Sequence, residues 1–315
     1  MTRLPSIVTV TFNPAIDLTV FVDHLVPGAV HRVQRSQHQA GGKGVNVATM
    51  LALGGCGVMV SGFLGAANAA IFERHFESHG LCDAFIRVHG ETRTGIKVVD
   101  ARVRETTDFN LPGPAPSAAQ RAALVERLLA LAEPGRWFVL AGSLPVGLEP
   151  DFVADLIQRL RGLGAKVAID SSGAALAAAL QVGVDLAKPN QNELAEWLGI
   201  ELKDEAALLC AARQLQRERV PQLIVSLGEE GALFLSAGAE LRTRAPKVQV
   251  VSTVGAGDAM LAGYLQGLLA GEDCRGCARR ATVYAWSRLE ALLPQLPQGA
   301  ELEQRLRQVS VRPIN

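Results

Sequence analysis

The sequence predicts an α/β chain: a mostly parallel central sheet with helices on both faces, and a small β-sheet lid standing apart from it. Three observations carry that prediction. From residue 118 onward, short apolar bursts alternate with helical stretches, as buried parallel strands with crossover helices require. Around residues 17–36 and 85–110, strand-like segments follow one another without long helices between neighbours. Glycine-rich or polar loops also stand where strands hand over to helices, the edge at which α/β sheets bind ligands.

The elements follow in order. Residues 118–132 are rich in Ala and Leu and read as a helix, and 137–141 (WFVLA) as a short apolar strand. A helix over 151–163 and a strand over 166–170 (KVAID) come next. A strand is expected at 185–188, helices at 192–198 and 204–218, and a strand at 223–226. Earlier in the chain, 43–53 reads as a helix, 58–62 as a strand and 68–79 as a helix. Residues 17–23, 30–36, 85–89, 94–100 and 105–110 read as strands of the lid, which two excursions from the core would form. There is no internal repeat, low-complexity tract or long linker, so residues 1–315 are expected to form a single domain.

Composition narrows the function. Lys+Arg and Asp+Glu both total 31, for a formal net charge of zero, so the chain lacks the electrostatic footprint of a general nucleic-acid binder. Anionic substrates would have to be held by a few placed cations and backbone donors. The apolar run 7–12 is too short for a signal-peptide core or a membrane span. Five dispersed cysteines fit reduced thiols and a cytoplasmic location, and the Cys274/Cys277 spacing falls in a helical stretch. The six histidines show no metal-ligand spacing.

Four loops can carry chemistry. In Val251-Ser-Thr-Val-Gly-Ala-Gly-Asp258, the turn Gly255, Ala256, Gly257 lets successive N–H groups converge at a helix start, an anion site that can stabilise a transferring phosphoryl group. Asp258 can there accept the proton of an attacking hydroxyl, or simply stabilise the first helical turn. Gln39-Ala-Gly-Gly-Lys-Gly-Val-Asn46 also precedes a helix. It is not a Walker A loop, because Lys43 is followed by Gly44. Its glycines would let a ligand approach, with Lys43 and Asn46 bonding hydroxyls. Asn190 and Glu193 can orient water around Mg²⁺, or form a helix capping box. The segment from Ser226 to Gly231 can cradle phosphates, or be a plain strand-to-strand turn.

Taken together, seven segments resemble the phosphofructokinase B family of ribokinase-like sugar kinases. They are Thr11-Phe-Asn-Pro-Ala-Ile-Asp17, Gly41-Gly-Lys-Gly-Val-Asn46, Gly62-Phe-Leu-Gly65, Thr92-Arg93, Gly142-Ser-Leu-Pro145, Lys188-Pro-Asn190 and Ser252-Thr-Val-Gly-Ala-Gly-Asp258. The resemblance implies a ribokinase-like α/β fold with a β lid, usually paired with a second lid in a homodimer. It also implies a sugar phosphate and ATP as substrates, with Mg²⁺. Asp258 resembles the general base, and Gly255, Ala256 and Gly257 the anion hole. Asp17, Gly41, Gly42, Lys43, Asn46 and Ser143 resemble sugar-binding residues, and Arg93 the lid cation on the substrate's existing phosphate. Lys188, Asn190, Ser226, Gly228 and Gly231 resemble nucleotide-binding residues, and Glu193 the acid that organises Mg²⁺ through water.

Asp17-Leu-Thr-Val, Thr107-Asp-Phe-Asn-Leu-Pro-Gly113 and Asp170-Ser-Ser-Gly173 most resemble the branch of 1-phosphofructokinases and tagatose-6-phosphate kinases. Within that branch, Thr107-Asp-Phe-Asn110, Glu196-Trp197 and Val311-Arg-Pro-Ile-Asn315 tilt the resemblance toward the 1-phosphofructokinases, which implies phosphorylation of fructose 1-phosphate. The alternatives are tagatose 6-phosphate, fructose 6-phosphate, or a non-catalytic sugar-phosphate-binding regulator. The chain departs from the branch at Gly95, where Asn is usual, and in the bulky Thr282-Val-Tyr-Ala-Trp286, where small residues are usual.

Overall fold

The computed structural model describes residues 5–33, 35–103 and 105–314. Strand β1 (Ile7–Thr11) is buried at every position and opens the large sheet. The chain then leaves for a small sheet through β2 (Ala15–Val22) and β3 (Arg35–Gly41), and returns along α1 (Lys43–Leu53) to β4 (Val58–Gly65). Helix α2 (Ala70–Ser78) and the short strands β5 (Cys82–Asp83) and β6 (Ile86–Val88) follow. A second excursion makes β7 (Arg93–Asp100) and β8 (Glu105–Asn110).

From there helix and strand alternate as expected. They are α3 (Ala118–Leu131), β9 (Trp137–Ala141), α4 (Pro150–Gly162), β10 (Lys166–Asp170), α5 (Gly173–Val182), β11 (Leu186–Ala187), α6 (Gln191–Leu198), α7 (Glu205–Glu218) and β12 (Gln222–Ser226). A 3-10 turn (Gly228–Glu230) joins β12 to β13 (Ala232–Ser236), and β14 (Ala239–Arg244) follows. Helices α8 (Ala256–Leu269), α9 (Cys274–Leu289) and α10 (Gly299–Gln308) and the edge strand β15 (Ser310–Pro313) complete the chain.

The large sheet runs β15-β14-β13-β12-β11-β10-β9-β1-β4-β5, with β6 also on β4, and is parallel except where β13, β14 and β15 add antiparallel strands. Because β1 has β4 on one side and β9 on the other, the chain reverses its winding there, and the crevice opens at that point. Strand ends are level: Thr11 lies opposite Ala141, and Ala141 opposite Asp170. The residues that follow these strands therefore share one edge.

Alternate side chains of the strands bury into two cores. Ile7, Val60 and Val139 pack with α1, α2, α8 and α9, while Val8, Val10, Phe138 and Leu140 pack with α3, α4, α5 and α7. Helices α8 and α9 cross closely because Gly263 and Gly267 carry no side chain. A Cβ on Gly263 would stand 2.8 Å from Arg280 O, and one on Gly267 would stand 2.9 Å from Cys277 Cα. Filling either would cost about 1–3 kcal/mol in displaced backbone.

The small sheet has the order β3-β2-β7-β8 and lies over the crevice. Two boundaries differ from the sequence expectation. The strand expected at 30–36 lies at Arg35–Gly41, with Gln34 outside the described residues, because β3 is defined by pairing with β2 from Phe21 to Ala15 rather than by apolar alternation. Val30, at the head of the expected strand, is 92% exposed. The strand expected at 85–89 is β6, which pairs with β4 through Phe63, Leu64 and Gly65 and so borders the large sheet rather than the small one.

Candidate active site

Between the small sheet and the ligand edge of the large one lies a cavity of about 740 Å³. Its walls bring together Asp17 and Arg93 from the small sheet, Gly42, Lys43 and Asn46 from the start of α1, Ser143 after β9, Lys188 after β11, and Gly255, Gly257 and Asp258 at the start of α8. Gly41 and Ala256 adjoin these walls in sequence. Gly41 is required by contact, since a Cβ there would fall 2.5 Å from Asp17 Oδ2. Asn190, Glu193, Ser226, Gly228 and Gly231 do not line this cavity. They occupy the loops beyond β11 and β12, where Asn190 and Ser226 are bridged in parallel.

Gly255 adopts φ 78° at the N-cap of α8, a conformation that L side chains rarely take, and no side chain caps the helix. Ala256 N–H makes only a long 3.4 Å contact to Thr253 O, so the N–H groups of this first turn can be offered to an anion. Asp258, in the first turn, is buried, and its Oδ2 accepts a hydrogen bond from Asn46 Nδ2 at 2.8 Å. Burial and the neighbouring Asp170 carboxylate push Asp258 up to about 6, against the pull of Lys43, the Asn46 hydrogen bond and Lys188. A carboxylate so placed is still ionised near neutrality and is a stronger base than an ordinary aspartate.

Asp170 ends β10 fully buried and serves two lysines. Lys43 Nζ donates to its Oδ1 at 2.8 Å, and Lys188 Nζ stands 3.0 Å from Oδ2, off hydrogen-bond alignment. Burial would raise the Asp170 carboxyl, but Lys188 and Lys43 hold it below the usual range. Burial likewise disfavours charge on Lys43, yet Asp170 keeps its ammonium well above its ordinary value. Lys188 also flanks the glycine turn: a Cβ on Gly257 would meet its Nζ at 3.0 Å. Two cations thus share one buried carboxylate beside an uncapped helix start, an arrangement with positive charge to spare for phosphate.

On the lid wall, burial raises Asp17 while Lys97, 3.6 Å away, and Arg93 oppose it. Arg93 donates from Nη1 to Asn110 Oδ1 and from Nε to Asn13 O, and among the described residues no carboxylate lies within 4 Å of it. Burial depresses its guanidinium. Gly95 pairs with Asp17 across the sheet, and a Cβ there would stand 3.1 Å from Asp17 Oδ1, so the departure from Asn leaves room beside that carboxylate.

Glu193 and Asn190 form a reciprocal capping box. Asn190 N–H donates to Glu193 Oε2 and Glu193 N–H to Asn190 Oδ1, both at 2.8 Å. The other Glu193 carboxylate oxygen remains available to water. Among the described residues no three His, Cys, Asp or Glu side chains gather as a metal cage. A single carboxylate oxygen acting through water is donor chemistry that suits Mg²⁺, which keeps most of its waters and leans on substrate phosphates.

Sequence reasoning missed Asp170, which joins Lys43 to Lys188, although a carboxylate closing an apolar strand at the ligand edge was a signal. It also missed Arg288, buried behind Gly255, for which an arginine in a helix gave no signal.

A lidded, mostly parallel sheet with an uncapped glycine turn and a buried carboxylate in its crevice defines a ribokinase-like phosphotransferase architecture. Residues 1–295 match the model of the pfkB family carbohydrate kinases. The chain is 45% identical over 289 residues to a 1-phosphofructokinase of Xanthomonas campestris pv. campestris, covering 90% of this chain and 91% of that one. It is 42% identical to a 1-phosphofructokinase of Rhodobacter capsulatus, covering 98% of each. Among solved structures it is similar to phosphofructokinase-2 from Escherichia coli in complex with substrates and products, with TM-score 0.89, 27% identity and coverage of 96% of this chain and 98% of that one. The chain belongs to the pfkB family of carbohydrate kinases.

Proposed function

We propose that this chain transfers the γ-phosphoryl group of ATP to a hydroxyl of fructose 1-phosphate, giving fructose 1,6-bisphosphate and ADP. The observation that carries this reading is the buried Asp258 at the glycine-led start of α8, in a cavity walled on the far side by Arg93, which among the described residues has no carboxylate within 4 Å. In this reading Asp258 takes the proton of the attacking hydroxyl as the O–P bond forms. The N–H groups of the Gly255-Ala256-Gly257 turn and Lys188 hold the anionic phosphoryl group. Asp17, Gly41, Gly42, Lys43, Asn46 and Ser143 orient the sugar, and Arg93 takes its existing phosphate.

Asn190, Ser226, Gly228 and Gly231 would carry the nucleotide beyond Lys188. Glu193 would hold Mg²⁺ through water, and when bound the ion supplies neutralising charge on the β- and γ-phosphates. The 1-phosphofructokinase names of the relatives support the choice of sugar. The small sheet would act as a lid within one working unit and pair with a second lid in a homodimer, a reading supported by the exposed Phe109 and Leu111 at and beyond β8. No described helix is long and apolar enough to cross a membrane, and we place the enzyme in the cytoplasm.

ADP release measured with fructose 1-phosphate, fructose 6-phosphate, tagatose 6-phosphate and fructose tests the reading. The highest kcat/KM is expected for fructose 1-phosphate, with fructose far below. Preference for another sugar phosphate would overturn the substrate, and sugar-phosphate binding without ADP release from any of the four would overturn the activity.

A further inference from the structure

Helix α9 ends against the loop that enters the glycine turn. The Val251 and Ser252 N–H groups both donate to Leu289 O, at 2.8 and 3.2 Å. The preceding residue, Arg288, is only 7% exposed. Its Nη1 donates to Ala291 O, and among the described residues no carboxylate lies within 4 Å of it. Its Nε stands 3.4 Å from where a Cβ on Gly255 would be, and Asn46 Nδ2 and Asp258 Oδ2 stand 3.7 and 3.8 Å from that same point. The guanidinium thus backs the turn whose front faces the cavity.

We infer that Arg288 is a positioning residue for phosphoryl transfer, its fixed positive charge behind Gly255 keeping Asp258 ionised and bracing the start of α8 for the arriving phosphoryl group. The inference rests on the reading of Asp258 as the base. A buried guanidinium without a close counter-ion is expensive, and an apolar side chain would fill the space at lower cost. Burial depresses the Arg288 guanidinium below its ordinary value, and the carboxylates of Asp258 and Asp17 oppose that only in part, so the place keeps a costly charge that faces Asp258. Carbonyl bonding at the end of a helix would satisfy a neutral amide equally well, so that role does not account for a charge at this place.

The other charged or titratable groups facing the same space are few. Lys97 comes from β7 and His38 from β3, and Arg74, His75 and His79 come from α2. Burial, with His79 beside it, pushes His75 down to about 4, and its Nε2 is bonded to Thr49 Oγ1, so it stays neutral near pH 7.

The test compares Arg288→Gln, which keeps an amide donor for Ala291 O and removes the charge, with Arg288→Lys, which keeps the charge. In Arg288→Gln, kcat should fall by tens-fold or more at pH 6.5, the acid limb of the kcat profile should move to higher pH, and both KM values should stay within about threefold. Arg288→Lys should recover most of kcat and return the limb toward the parent position. A folded Arg288→Gln enzyme with parental kcat and limb would overturn the inference. So would a loss confined to KM, or a limb that shifts equally in His38→Gln or His79→Gln. If Arg288→Gln does not fold, the Arg288→Lys profile decides alone, and there a loss of kcat as large as tens-fold would overturn the inference. Parental turnover in Asp258→Asn would instead defeat the reading of the base, whatever Arg288 does.

Discussion

Asp258→Asn should lower kcat by roughly 10²–10⁴-fold while ATP and sugar-phosphate affinity change little, because the amide cannot take the hydroxyl proton yet fills the same space. The same substitution should stabilise the fold at alkaline pH. Asp258 is pushed up to about 6 by burial and Asp170, above its ordinary 3.8. A carboxyl raised on folding favours the native state below its unfolded value, and that contribution is lost as pH rises through the folded one. Above about pH 6 the parent therefore holds an ionised carboxylate at a cost on the order of 3 kcal/mol, which the amide avoids. Thermal unfolding should show Asp258→Asn melting higher than the parent at pH 8, with the gap narrowed by about half at pH 5 and closed only below the ordinary carboxyl value of 3.8. Turnover within tenfold of the parent would remove Asp258 from the chemistry. Identical melting at both pH values would mean that its carboxylate is not under this strain.

Asp170→Asn should have the largest effect on stability. The carboxylate is fully buried between Lys43 and Lys188, and Lys188 is itself only 6% exposed, so neutralising Asp170 leaves a buried ammonium without its counter-ion. Breaking such a pair from one side costs about 3–5 kcal/mol, enough to lower the melting temperature by on the order of 10 °C in a domain of this size. The sign with pH is opposite to that of Asp258. Asp170 is held below 3.8, so its contribution is present above that value and is lost on acidification through the folded one. ATP should narrow the gap between variant and parent, because nucleotide phosphates supply the lysines with the missing negative charge. An unchanged melting temperature in the absence of nucleotide would show that the two lysines do not depend on Asp170.

Much of the fold was legible because local signals and tertiary packing agree. Residues 137–141 and 166–170 are buried apolar bursts flanked by breakers, and they became β9 and β10 with the expected bounds. Strand β3 was misplaced because Arg-Ser-Gln-His-Gln is polar, and only pairing with β2 makes it a strand. The same holds for β6, whose three residues gain their place from β4 alone. In the site, Lys43, Asn46 and Asp258 were readable because each stands at a helix start beside glycines. Their partnerships were not: Lys43 meets Asp170 from 127 positions away, and Asn46 meets Asp258 from 212. Asn190 and Glu193 were read two ways, and the capping box is present in the fold while their proposed work on the nucleotide and on water remains compatible with it.

The Lys43–Asp170–Lys188 cluster also bears on how substrates reach the enzyme. Both proposed substrates are anions, yet the chain as a whole has no net charge with which to attract them from a distance. Its available positive charge is short-ranged, set inside the crevice and partly cancelled by Asp170, and ions in solution already screen exposed charges beyond about 8 Å at physiological salt. Encounter should thus proceed by ordinary diffusion rather than electrostatic steering, with kcat/KM changing by less than about threefold between roughly 0.05 and 0.3 M salt. An enzyme built this way keeps its catalytic efficiency when the ionic strength around it rises.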